Sequence, residues 1–237
     1  MRPELEEEFG VDLGEFAGSH ESDWGREYEA AAAALRPQVP PPSGYRFRCA
    51  DNCPLGGGVA ECRQVYQADL AQAIRMARKA ARLVANPTQH VGDIYQGVFG
   101  HRPNRRVPWA GNATSGSITV RRLQLAARAL EKGYFPIACG PCTGFPNANA
   151  ITSVDGPRTR IELCANYWSN ASRSIRAGTL IHETLHAYFE FINDQRDVNF
   201  PTTVQRTNAH CYEALVMLLH GITPDNTDTT MCQTTPS

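Results

Sequence analysis

His182, Glu183 and His186 stand in the run His182-Glu183-Thr184-Leu185-His186, a match to the pattern H-E-x-x-H. On a helix, residues four apart share a face, so both imidazoles can point at one metal ion. Glu183 falls beside them, where its carboxylate can take a proton from water held by that metal. Zinc is the expected ion. A catalytic zinc has three protein ligands and one open position, so a third ligand must come from farther along the chain. Asp194, Asp197, His210 and Glu213 are the candidates. Glu190 is not among them, because on a straight helix it lies about 12 Å from His182.

Several elements must position these groups. Ile181, Leu185, Tyr188 and Ile192 recur at helical spacing away from the histidines, so the motif reads as an amphipathic helix. A second helix is expected over Asn208–Leu219, with Tyr212, Leu215, Val216 and Leu219 as its buried stripe. His210 and Glu213 lie three apart on another face of it. Helices are also expected over Val65–Val84, stopped by Asn86-Pro87, over Val91–Phe99, and over Thr119–Lys132, ended by Gly133. Tyr134–Ala138, Ala148–Val154 and Thr159–Asn166 read as short antiparallel strands. Arg158–Cys164 alternates polar and apolar residues. That suits a half-exposed edge strand, one able to pair with an extended peptide.

The amino-terminal segment differs in texture. Residues 1–29 carry ten acids against Arg2 and Arg26, and residues 37–44 form a Pro-rich linker. The expected organisation is an acidic segment over 1–36 with a short Ala-rich helix near Trp24–Leu35, the linker, and one domain over 45–237. The first residues lack the apolar stretch of a classical signal peptide, and no apolar run is long enough to span a bilayer. No basic stripe interleaves with aromatics, which argues against nucleic acid as a partner. Only Lys79 and Lys132 stand among 23 basic residues.

Eight widely spread cysteines point to disulfides made in an oxidising compartment. Cys139-Gly140-Pro141-Cys142 spells CGPC, which in a thiol-disulfide enzyme opens a helix. Here turn residues follow, Thr143 to Asn147, so a structural loop is the expectation.

The run Ile161-Glu162-Leu163-Cys164-Ala165-Asn166-Tyr167-Trp168, then Ala177-Gly178-Thr179-Leu180-Ile181 leading into the metal motif, resembles the aspzincin metallopeptidases, the deuterolysins and peptidyl-lysine metalloendopeptidases. Asn208-Ala209-His210-Cys211-Tyr212-Glu213 stands where those enzymes carry an N-A-D-x-x-E-like helix. The resemblance covers roughly Tyr134–Leu219. It implies a zincin-like fold and an Asp as third ligand. The family's G-T-x-D-x-x-Y-G loop is absent. Asn193-Asp194-Gln195-Arg196-Asp197 occupies its place, with Asp197 at a compatible distance and Asp194 as its rival. The family's oxyanion-stabilising tyrosine has no counterpart. In lysine-specific members the Asp and Glu of the later helix help recognise a basic side chain. His210 replaces that Asp here and Glu213 keeps the Glu, which makes the pair the candidate substrate-binding residues. The first twenty residues resemble leader segments on bacterial injected toxins.

The expectation is therefore an α+β zincin-like domain with a small antiparallel sheet. Its function is that of a secreted or injected, monomeric zinc endopeptidase acting on protein or peptide, with a basic P1′ preference. His182, His186 and Asp197 bind zinc and Glu183 is the catalytic base. A disulfide-rich binding module without activity, or a thiol-disulfide enzyme using CGPC, are the alternatives.

Overall fold

The structure is a computed structural model. It describes residues 47–49, 58–107, 113–155, 158–169, 172–189, 192–194, 207–224 and 232. The acidic segment with its Ala-rich helix, the linker and Asp197 lie outside the described residues.

Helix α1 (Gly58–Ala85) is followed by α2 (Gln89–Phe99) and α3 (Ser115–Lys132). Three short strands come next: β1 (Ile137–Cys139), β2 (Ala150–Ser153) and β3 (Arg160–Leu163). Then follow α4 (Ala165–Ser169), α5 (Arg173–Tyr188) and α6 (Ala209–Leu218). The mixture is α+β, as expected. The local punctuation explains the helix ends. Thr88 accepts from Val91 N to start α2, and Gly100 at φ 73° closes it. Thr114 and Ser117 form a reciprocal cap that begins α3 four residues earlier than Thr119, where the apolar period alone suggested.

Helix α5 is the central element. It packs on α1 and α3, carries α6 alongside, and lies against β2 and β3. Its Ala177, Leu180, Ile181 and Leu185 are fully buried in a core shared with Ala73 and Ala77 of α1 and Leu215 and Val216 of α6. Among the described residues, no helix is long and apolar enough to cross a membrane.

The sheet corrects two expectations. It is mixed rather than antiparallel: β1 runs parallel to β3, and β2 antiparallel to it. The strand order is β1-β3-β2, so β3 is central and, among the described residues, β2 is an edge. The outer side of β1 is covered by Arg48, which exchanges backbone hydrogen bonds with Ile137 and Cys139. The alternation over Arg158–Cys164 has another cause. Glu162 is turned to the loop after β1, where its Oε1 accepts from Cys142 N at 2.6 Å.

Disulfides join Cys49 to Cys62, Cys142 to Cys164 and Cys211 to Cys232. Cys139 is also disulfide-bonded. Because Cys142 pairs with Cys164, the CGPC run holds no dithiol of its own. It is a fastening that ties the loop leading into β2 to the end of β3.

Candidate metal centre

Helix α5 starts at Ser172, whose hydroxyl accepts from Ile175 N. Its apolar stripe fixes the rotation of the helix about its axis, and that rotation presents His182 and His186 on the side facing α6. The chain then turns. Ile192 N bonds Phe189 O, Asn193 N bonds Thr207 O at 2.8 Å, and Ala209 N bonds Asn193 O at 3.1 Å. This bridge brings Asp194 back over the last turns of α5 and beside the first turn of α6.

Three atoms converge there. His182 Nε2 and His186 Nε2 are 3.1 Å apart. Asp194 Oδ1 lies 3.2 Å from the first and 3.1 Å from the second. A tetrahedral ion with bonds of ~2.0–2.1 Å holds neighbouring donor atoms about 3.3–3.4 Å apart. The triangle therefore fits one small divalent ion with little rearrangement. Asp194 is 47% exposed while His182 is buried and His186 nearly so, so the triangle opens toward solvent on the Asp194 side.

The far sides of both rings are also engaged. His186 Nδ1 lies 2.9 Å from the carbonyl oxygen of Ile192. A carbonyl only accepts, so Nδ1 carries the proton and Nε2 of the neutral ring keeps its lone pair for a metal. His182 Nδ1 lies 3.1 Å from Glu213 Oε2, close but off the line of an ideal hydrogen bond. His210 completes the rim, with Nε2 at 3.7 Å from Asp194 Oδ1 and its ring 4.5 Å from that of His182.

Electrostatics follow from the crowding of acids. Burial by itself disfavours the charged form of His182. The contacts with Asp194 and Glu213, and the charges of Glu213 and Glu183, outweigh it and hold the ring well above its usual pKa. For Asp194, burial acts to raise the pKa, but the hydrogen bonds and charges of His182 and His186 bring it well below the carboxylate range. In the metal-free protein these neighbouring carboxylates favour a proton on His182.

Glu183 is buried beside this cluster. The Thr152 hydroxyl on β2 donates to Glu183 Oε2 at 2.6 Å and also lies 3.1 Å from the Glu183 carbonyl oxygen. The edge strand and the metal motif are thereby joined through one side chain. Nothing in the sequence singles out Thr152.

Of the residues expected at the site, His182, Glu183, His186, His210 and Glu213 are brought together. Asp194 stands at the ligand position for which Asp197 was favoured, and Asp197 lies outside the described residues. Glu213 is 6% exposed and faces His182.

No protein-family model, curated protein or solved structure matches this chain. The site's own chemistry carries the functional argument.

Proposed function

We propose that this chain is a zinc-dependent endopeptidase of aspzincin-like type, with His182, His186 and Asp194 as ligands and Glu183 as general base. The observation that carries the reading is the donor triangle: two Nε2 atoms and one carboxylate oxygen at 3.1–3.2 Å, open on one side. Two nitrogens and one carboxylate are a zinc donor set with a vacant fourth position. Held by His182, His186 and Asp194, zinc would supply Lewis acidity toward water and a substrate carbonyl.

The chain's own groups would do the rest. Glu183 takes a proton from the attacking water, whose oxygen adds to the scissile carbonyl carbon. As the C–N bond breaks, Glu183 gives that proton to the leaving nitrogen. Thr152 holds the carboxylate in place, leaving Oε1 for the proton.

Substrate would align on β2. Cys164 N bonds Asn149 O, which marks Asn149 and Cys164 as a hydrogen-bonded pair. In the antiparallel ladder Ile151 and Ser153 therefore also bond β3. Ala150 and Thr152 then turn their N–H and C=O groups to the side of β2 that no other described strand pairs, where an extended peptide can add as a further strand. Thr152 thus offers its backbone to the substrate and its hydroxyl to the base.

A basic P1′ preference loses its support, because the carboxylate assigned to it is buried. The disulfides support folding in an oxidising compartment, and secretion or injection remains the proposed location. The test is metal analysis of purified protein together with an unbiased peptide-library digest. Stoichiometric zinc and cleavage within peptides are the expected results. Folded protein that takes up no zinc would leave a binding module on this fold.

A further inference from the structure

Glu213 and His210 sit one turn apart on α6, yet their surroundings differ. His210 stands at the open side of the donor triangle, near Asp194. Glu213 lies behind His182, at 3.1 Å from Nδ1, with only 6% of its surface exposed. A buried carboxylate needs a partner of opposite charge or a strong donor. The ring N–H of a metal-bound histidine is such a donor, and a carboxylate behind it fixes the tautomer and raises the basicity of the ligand.

A second residue makes room for this contact. Gly178 lies one turn before His182 on α5. A Cβ built there would meet Glu213 Oε1 at 2.7 Å, Glu213 Cγ at 3.2 Å and Met217 Sδ at 3.3 Å. A glycine in a helix interior is less favourable than alanine, so its presence calls for a packing reason. Here the reason is the path of the Glu213 side chain across the helix.

We infer that Glu213 is a positioning residue for the metal ligand His182, admitted by Gly178, and not a reader of the substrate side chain. The inference rests on the zinc-peptidase reading and deepens it. It assigns opposite duties to the two polar residues of α6: Glu213 acts on the metal from behind, and His210 faces the substrate.

The experiment compares wild type with Glu213→Leu, Glu213→Gln and Gly178→Ala. Zinc affinity is measured by competition with a chelating dye, with melting temperature as the folding control. Glu213→Leu should weaken zinc binding by about 10- to 100-fold. Glu213→Gln, whose amide oxygen still accepts from Nδ1–H, should recover most of that loss. Gly178→Ala should weaken zinc binding although it removes no polar group. In ¹⁵N-histidine spectra of the zinc-loaded protein, His182 should carry its proton on Nδ1 in wild type. P1′ preference in a library digest should be the same for wild type and Glu213→Gln. Zinc affinity unchanged in both Glu213→Leu and Gly178→Ala would overturn the inference while leaving the peptidase reading intact. So would a P1′ preference that shifts in Glu213→Gln at constant zinc affinity. Failure of the wild type to bind zinc would instead remove the reading on which both rest.

Discussion

Helix α5 carries two buried polar clusters about 9 Å apart along its axis, six residues at 1.5 Å each. In the first, Arg176 meets Asp69 of α1 through Nε at 2.7 Å and Nη2 at 3.1 Å. Tyr167 of α4 donates to the same carboxylate at 3.1 Å. One cation faces one anion, with hydrogen bonds on both carboxylate oxygens. In the second, Glu183, Asp194 and Glu213 crowd around His182 and His186, and their charge favours a proton on His182. The first cluster is complete as built and fastens α5 to α1 and α4. The second gathers several acids around two rings that can take up a proton or a metal ion. On the proposed function, the difference separates a group kept for structure from one kept for chemistry.

The contrast is broken most sharply by single substitutions. Glu183→Gln should abolish hydrolysis, a loss of at least about 10²- to 10⁴-fold for a general base, with zinc retained. Casein digestion and metal analysis of the same sample check it, and zinc lost from a folded protein would count against the assignment. Asp194→Ala should lower zinc affinity by orders of magnitude, and Asp197→Ala by much less. The reverse order, in dye competition, would return the ligand role to Asp197.

Asp69→Ala should act on the other cluster. Removing one partner of a buried ion pair costs about 3–5 kcal/mol, to be read from urea unfolding, while the zinc affinity of the folded fraction stays unchanged. Thr152→Val should leave zinc and stability nearly intact and lower turnover about 10-fold. A hydrogen bond to a charged group is worth about 1.5–3 kcal/mol, and only part of it acts on the base's position.

The smallest effect is on pH dependence. His182 has its pKa raised on folding, so its contribution to metal-free stability is full below its unfolded value near 6.5. It fades as pH rises through the higher folded value. Asp194 has its pKa lowered, so its contribution is present above about 3.8 and fades as pH falls toward the folded value. Metal-free protein should therefore melt highest between about pH 4 and pH 6.5. Saturating zinc should flatten the alkaline side. A metal-free melting temperature that climbs through pH 8 would contradict the proton-for-metal exchange.

The sequence made the local features of this site readable and hid the long-range ones. The motif helix was legible because Leu185 and Ile181 keep a 3.6-residue period beside the two histidines. The acid that completes the donor triangle was not, because Asp194 is placed by the pairing of Asn193 with Thr207 and Ala209, contacts that leave no local pattern. Strand order was hidden for a similar reason. Alternation in β3 reports which side chains are polar, and Glu162 is polar for the sake of a loop rather than of solvent. Gly178 offered a signal that could have been used: a glycine inside a strongly apolar helix marks a close approach.

The central claim is that the acid-rich cluster holds zinc and hydrolyses peptides with it. The most direct measurement strips the protein with a chelator, then titrates zinc back while peptide cleavage is followed. The account predicts one zinc bound per chain, with cleavage rising in step and saturating at that ratio. Absence of stoichiometric zinc binding, or cleavage indifferent to both the chelator and Glu183→Gln, would contradict it.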